Sequence, residues 1–263
     1  GSRVAFLDGP PTTRLCIPLA ERIVSNGGQV LTNKRLQKIR VSDTNGAVEA
    51  LELGGGETVK ADAYVSALPV DILKTKLPEE WTHAHSYFSD MQQLEGVPVI
   101  NVHLWFDRKL CNIDNLLFSR SKLLSVYADM STCCRAYENN ERSMLELVFA
   151  PAGSFIGKPD VEIVAATMGE LEKLFPNELG SENGAQLVKA HVVQTARSVY
   201  TAVKGTGALR PTQVSPIRNF FLAGCFTRQK YLASMEGAVL SGKLAAQAVL
   251  ESQEERKGLG YSR

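Results

Sequence analysis

The tightest constraint on the fold of this chain lies toward its end, in the run Asn219-Phe-Phe-Leu-Ala-Gly-Cys-Phe-Thr227, followed by Tyr231-Leu-Ala-Ser-Met-Glu-Gly-Ala-Val-Leu-Ser-Gly-Lys243. Four apolar residues, 220–223, read as a short buried strand that stops at Gly224. A loop then enters a helix over 235–250 that is rich in Ala and Gly. The first turn of this helix holds Glu236-Gly237-Ala238, with no bulky side chain, so a ligand could approach the backbone closely. Free N–H groups and the positive end of the helix suit an electron-rich or anionic group. Read alone, a tightly packed strand-turn-helix that binds nothing explains the run at least as well.

Upstream, residues 14–26 put Leu15, Leu19, Ile23 and Val24 on one helical stripe that stops at Gly27-Gly28, with Pro18 tolerated only in the first turn. Short β-rich runs follow at 30–32, 36–41, 48–53, 58–59 and 63–67, separated by the turn chemistries Asp43-Thr44-Asn45-Gly46 and Gly54-Gly55-Gly56. This predicts a β-meander after a helix. Beyond Pro69 come two short helical pieces, 70–76 and 86–94, and a second family of strands at 97–106, 116–119, 124–130 and 144–149. Residues 160–174 repeat apolar side chains at a helical period behind Asp160, a residue able to cap, and Pro176 ends them. A strand at 187–195, a Gly/Pro-rich loop at 205–216 and a polar tail over the last dozen residues complete the reading.

Composition removes several function classes. With 29 Lys+Arg against 28 Asp+Glu, the chain has no excess positive charge to neutralise a phosphate backbone, and no nucleic-acid partner is expected. The five Cys show neither CxxC spacing nor a paired HxxxH, so neither a metal site nor a disulfide framework is predicted, and a reducing compartment is the easier reading. No uncharged apolar run approaches the roughly 18–20 residues that a spanning helix needs. The first twenty residues lack the signature of a signal peptide, and a start without Met is what a processed form or a fragment would show. His103 sits among apolar neighbours as a sheet-face imidazole, His83 and His85 lie in a polar connector, and no GxSxG elbow or Cys–His spacing supports nucleophilic catalysis.

Long stretches carry a resemblance. They are Val4-Ala-Phe-Leu-Asp-Gly9, Asp62-Ala-Tyr-Val65 with Pro69-Val-Asp-Ile-Leu73, Gly96-Val-Pro-Val-Ile-Asn-Val-His103 with Trp105-Phe-Asp-Arg-Lys109, Leu117-Phe-Ser-Arg120, Leu124-Ser-Val-Tyr-Ala-Asp-Met-Ser131, Ser143-Met-Leu-Glu-Leu-Val-Phe-Ala-Pro-Ala152 and Gln229 through Lys243. Together they resemble the C-terminal half of the phytoene desaturase family of plants, algae and cyanobacteria, within the flavin-containing amine oxidase-like proteins. The resemblance implies an α/β (α+β) fold: an incomplete FAD-binding domain of the glutathione-reductase type from 1–69 and 217–263, with an inserted substrate domain of antiparallel sheet and helices at 70–216. The GxGxxG fingerprint that holds the ADP part of FAD has no counterpart here, because Gly54-Gly55-Gly56 opens no helix.

Residue by residue, the resemblance implies that Met235 lies against the flavin ring and that Ala233 and Arg35 line the substrate side. It places the backbone of Leu36 beside the adenine, and Gly224, Glu236 and Ala238 at the cofactor. From the residues alone, Leu36 is an inward strand residue, Arg35 a solvated one facing the other way, and Glu236 a complement to the helix dipole. Where the family has Asp after the glycine, this chain has Cys225, followed by the matching Phe226 and Thr227. Loss of a charged acceptor of FAD is worth roughly 1.5–3 kcal/mol. With the fingerprint also missing, the chain by itself is expected to bind FAD poorly.

The chemistry implied is FAD-dependent desaturation of 15-cis-phytoene toward ζ-carotene, with electrons passed to plastoquinone, by a plastid enzyme in peripheral contact with the membrane and with room for a homo-oligomer. The flavin would carry the reaction and no catalytic side chain is implied. Two alternatives stand beside it: another oxidoreductase of the same superfamily, such as ζ-carotene desaturase or an amine oxidase, and a truncated, non-catalytic remnant.

Overall fold

A computed structural model of the chain describes residues 7–258 apart from Asn45, Pro151 and Glu182. The turn predicted at 43–46 therefore lies partly outside the described residues, as do the last five residues of the tail. The chain divides into two compact units, one made of Gly1–Leu31 with Pro98–Ala196 and the other of Thr32–Val97 with Arg197–Arg263. Contacts thus divide the chain at 97/98 and 196/197, whereas the sequence reading drew its boundaries at 69/70 and 216/217.

The chain opens with a short π-helical stretch, Thr12–Cys16, that runs into α1 (Ile17–Ser25), and Pro18 occupies the first turn, where no N–H is needed. Gly27, at φ +82°, ends it. Leu19, Ile23 and Val24, the stripe expected from the sequence, are exposed.

The second unit begins with β1 (Leu36–Val41), β2 (Val48–Leu53) and β3 (Thr58–Val59), an antiparallel sheet in the order 1-2-3. Residues 30–32, read as a strand, take no regular structure. β4 (Tyr64–Ser66) leaves the meander and pairs in parallel with β10 (Phe220–Leu222), Leu222 opposite Ser66. Asn219 joins the two sheets: its Oδ1 accepts from the Val48 N–H at 2.9 Å, its Nδ2 donates to the Val48 carbonyl at 2.8 Å, and its own carbonyl accepts from the Tyr64 N–H. Helices α2 (Val70–Lys74), α3 (Glu79–Ala84) and α4 (Ser86–Met91) follow. They belong to this unit for a packing reason. Val70, Leu73, Trp81, Phe88, Met91 and Leu94 are buried in one core with Tyr64, Phe220 and Leu222, and Trp81 stacks on Phe88 and tilts against Phe220. Asp71 fastens the end of the segment. It accepts from the Gly96 N–H at 2.8 Å and from Arg197 at 2.7 Å.

In the first unit the sheet has the order β6-β7-β8-β5-β9. Its strands are β5 (Val99–Phe106), β6 (Leu117–Phe118), β7 (Val126–Asp129), β8 (Met144–Phe149) and β9 (Leu187–Thr195), all antiparallel. Along β5 burial alternates strictly, the signature of a sheet with one covered face. Ile100, Val102 and Leu104 face Phe149, Leu147 and Leu145 across the ladder and share a core with Ile163 and Leu171. Those two side chains come from α6 (Asp160–Leu174), whose bounds match the sequence reading. Its N-cap is Pro159 without a side-chain bond, so the expected cap by Asp160 does not form. The short helix α7 (Pro176–Leu179) packs Leu179 against this core, whereas Met130 of α5 (Met130–Cys133) is buried in a small separate cluster with Ala128 and Cys134.

At the turn from β7 to α5 lies a fully buried carboxylate. Asp129 accepts from the Ser143 hydroxyl at 2.6 Å, from the Ser131 hydroxyl at 2.5 Å and from the N–H groups of Ser131 and Met144. Lys109, itself mostly buried, stands 3.5 Å away. His103 occupies the other face of β5, with its ring stacked near Trp105, in line with a sheet-face imidazole.

The chain returns to the second unit through the short helix α8 (Thr206–Leu209) and ends in α9 (Met235–Gly258). This last helix runs past residue 250 into what the sequence reading took as polar tail. The residues after Leu250 are good helix formers such as Glu, Gln, Lys and Arg, and nothing in 251–258 breaks the helix until Gly258.

Candidate functional site

In parallel α/β sheets a ligand is held beyond the carboxyl ends of the strands. Here the parallel pair β4–β10 delivers Ala67-Leu68-Pro69 from one strand and Ala223-Gly224-Cys225 from the other. The two ends are tied by the Ala223 N–H, which donates to the Ser66 carbonyl at 2.8 Å. Gly224 sits at φ +127°, a conformation open to glycine and strained for any other residue. Its N–H donates to the hydroxyl of Ser241 on α9 at 2.7 Å, so the turn is anchored to the helix it leads into.

The loop 225–234 is built from its own hydrogen bonds. Thr227 donates from both N–H and hydroxyl to the Gly224 carbonyl, and Gln229 donates to the Cys225 carbonyl at 3.2 Å. Ser234 supplies the start of α9: its hydroxyl accepts from the Gly237 N–H at 3.1 Å and its carbonyl from the Ala238 N–H. Gly237 is required by space. A Cβ there would come within 2.6 Å of the Gln229 amide nitrogen and 2.9 Å of the Leu232 carbonyl.

The sequence-predicted site residues distribute as follows. Leu36 opens β1, is half-buried and packs with Cys225 and Ala233 against one core. Arg35, the residue before it, is exposed. Met235, Glu236 and Ala238 are exposed on the first turns of α9, and Leu232 beside them is 68% exposed. All of these residues lie in the second unit. Burial pushes the Cys225 thiol up from its ordinary value, against the opposing pull of hydrogen bonding and of the Arg210 charge. The thiol is therefore neutral at physiological pH and offers no anionic acceptor.

Sequence reasoning missed Arg210, whose guanidinium donates to four carbonyls of the loop after Gly224. An Arg before Pro211 in a Gly/Pro-rich stretch gives no local signal of such a role. It missed Gln213 as well, which donates to the Thr227 hydroxyl at 2.9 Å and the Arg228 carbonyl at 3.1 Å.

A flavin group is tested by the chemistry of the surface that would receive it. The exposed apolar Leu232 and Met235, with the small Ala233 and Ala238 between and beyond them, suit an aromatic ring system, and the glycines keep backbone accessible. These residues fit the ring. At Cys225 the chain departs from the expected carboxylate. Among the described residues no group of three or more His, Cys, Asp or Glu is placed to hold a metal ion. No helix among them is long and apolar enough to cross a membrane.

Comparison with known proteins decides the family, because residues 13–250 match the profile of the flavin containing amine oxidoreductases. The chain belongs to that family. As a flavin containing amine oxidoreductase family member it is 56% identical over 260 residues to a 15-cis-phytoene desaturase from Synechococcus elongatus, covering 97% of this chain and 54% of that protein. To the chloroplastic/chromoplastic 15-cis-phytoene desaturase of Arabidopsis thaliana it is 55% identical over 256 residues, with 97% and 45% covered. A zeta-carotene desaturase from Synechocystis is more distant, at 34% over 274 residues. The chain thus spans about half the length of the curated relatives it matches. Among solved structures, an oxidoreductase from Methanosarcina mazei superposes with a TM-score of 0.64 at 15% identity, covering 91% of this chain and 54% of that one, which establishes a shared mixed α/β fold.

Proposed function

We propose that this chain serves in FAD-dependent desaturation of 15-cis-phytoene toward ζ-carotene in carotenoid biosynthesis. The observation that carries the reading is the identity of 55–56% over nearly the whole chain to phytoene desaturases, against 34% to a zeta-carotene desaturase. The latter function is the second reading.

FAD, when bound, would supply the redox chemistry of desaturation, in which a hydride leaves one allylic carbon and a proton the adjacent carbon to form the double bond, the two electrons passing on to a quinone, plastoquinone in a plastid. The protein's part is binding and orientation. The unit with β1–β4, β10 and α9 supplies the flavin side: the Leu36 backbone at the adenine, Gly224 and Cys225 at the polyol chain, and Met235 with Ala233 at the ring. Glu236 and Ala238 in the first turn of α9 present a negative side chain and open backbone at the helix's positive end. Arg35 stands on the substrate side. The five-stranded unit takes the substrate role, its apolar strands suiting a hydrocarbon that offers no carbonyl or amine to grip. Since such a substrate partitions into lipid, peripheral contact with a plastid membrane is part of the reading, as is room for a homo-oligomer.

The test is a chimera in which this chain replaces the matched 260 residues of the Synechococcus elongatus relative, supplied with phytoene in liposomes, FAD and a quinone. Formation of ζ-carotene, followed by chromatography and absorbance, is expected. A chimera that binds FAD yet leaves phytoene untouched, or that consumes ζ-carotene instead, would overturn the reading.

A further inference from the structure

Arg210 is 9% exposed, and every hydrogen bond its guanidinium makes is to backbone of a single loop. Nε donates to the Phe226 carbonyl at 3.3 Å, and Nη2 to the carbonyls of Cys225 at 3.3 Å, Thr227 at 2.5 Å and Tyr231 at 3.2 Å. The planar group also lies over the ring of buried Tyr200, 5.3 Å from its centroid. Among the described residues no carboxylate pairs with it. A buried guanidinium compensated only by carbonyl dipoles is costly to desolvate, so its place in the fold calls for a reason other than ion pairing.

The geometry offers one. Residues 225–231 have no strand or helix of their own, yet they carry the chain from the end of β10 to the start of α9. The Cys225 carbonyl also accepts from Gln229, but for the carbonyls of Phe226, Thr227 and Tyr231 the Arg210 guanidinium is the donor that the structure shows. Through Nε and Nη2, one edge of the planar guanidinium reaches all four at once, with one N–H of Nη2 shared between two carbonyls. Gln213 adds a second latch from the same segment. The Arg228 N–H, donating to the Pro211 carbonyl at 2.7 Å, closes the loop onto the backbone beside Arg210.

We infer that Arg210 is a positioning residue for the cofactor: it folds the loop 225–231 into the one shape that presents Gly224, Cys225 and Met235 to a flavin. This rests on the flavin reading of the site. Arg210 itself touches neither ring nor substrate. It acts through the loop, and its charge, felt at Cys225, makes the loop a favourable neighbour for an electron-rich group.

Two measurements on Arg210→Met and Arg210→Ala separate this from a general loss of fold. In the chain itself, hydrogen exchange at the amides of Thr227 and Arg228 should accelerate at least about tenfold, while the β5 amides of Val102 and Leu104 keep their protection. In the chimera described above, the FAD dissociation constant read by flavin fluorescence should rise about tenfold or more. Guanidinium ion added to Arg210→Ala should restore both, and ammonium at the same concentration should not, because only the fork reaches several carbonyls. Unchanged exchange in the loop, unchanged FAD affinity despite a freed loop, or equal rescue by ammonium would each overturn the inference. Failure of the unsubstituted chimera to bind FAD would instead overturn the flavin reading, with the exchange data still deciding whether Arg210 holds the loop.

Discussion

Replacing Asp129 by Ala tests how the five-stranded unit is held together. The carboxylate is wholly buried and accepts from two N–H groups and two hydroxyls. After truncation the Ser131 hydroxyl still has the Arg142 carbonyl at 2.8 Å. The Ser131 N–H, the Met144 N–H and the Ser143 hydroxyl lose their acceptor, and Lys109 loses its counter-charge. At about 1–3 kcal/mol for each orphaned donor, reduced because the Met144 bond is long at 3.3 Å and water can enter the vacated space, the cost is about 3–4 kcal/mol. With a urea slope of about 2 kcal/mol per M, the unfolding midpoint should fall by roughly 1.5–2 M. The chain has two Trp, one in each unit, so a Trp81→Phe background leaves Trp105 on β5 as the fluorescent reporter of this sheet. Asp129→Asn, which keeps one acceptor oxygen, should lose about half as much. A midpoint shift in Asp129→Ala below about 0.5 M would mean that the network contributes little and would refute the reasoning.

Gly237→Ala should lower the melting temperature despite the usual gain of about 1 kcal/mol for Ala in a helix, since the added carbon meets the Leu232 carbonyl, which is backbone and cannot swing away; a thermal melt at or above the parent's would contradict this. Asp71→Asn should flatten the acid limb of the stability curve. Burial alone would raise this carboxyl, but hydrogen bonds from Arg197 and the Gly96 N–H and the nearby Lys74 charge outweigh it and the net shift is downward. Its contribution is therefore full above the unfolded value near 3.9 and disappears as pH falls through the lower folded value, so urea midpoints of parent and variant should converge in strong acid and separate above about pH 4. Cys225→Asp should tighten FAD binding in the chimera about tenfold to a hundredfold, because an anionic acceptor replaces a neutral thiol in a loop that already holds the Arg210 charge. Equal dissociation constants by flavin fluorescence would show that another group already fills that role.

What could be read from the sequence was local. The period-2 runs gave β1–β3 and β8 to the residue, and the apolar repeat with Pro176 behind it gave α6, because in each case one covered face dictates the pattern. The parallel pairing of β4 with β10 joins residues more than 150 positions apart, and three-residue strands carry no mark of their partner. The packing of α2–α4 with that pair was hidden for the same reason. Trp81 packs against both Phe88 and Phe220 of β10, the latter a contact across about 140 positions that neither local pattern marks. At the site, Gly224 and the α9 start stood out because small residues there let a ligand approach the backbone, and Cys225 because the resemblance implies Asp at its place. Arg210 did not, because its role lies in carbonyls that no residue pattern encodes.

Photolabelling the Synechococcus elongatus chimera with azido-FAD, followed by peptide mapping of the residues this chain supplies, tests the flavin site most directly. Label is expected in the peptides that contain 224–238, and it should be competed away by FAD and reduced in Arg210→Met. Incorporation spread evenly over the chain, or confined to the five-stranded unit of 98–196, would contradict a flavin site at the mouth of β10 and α9.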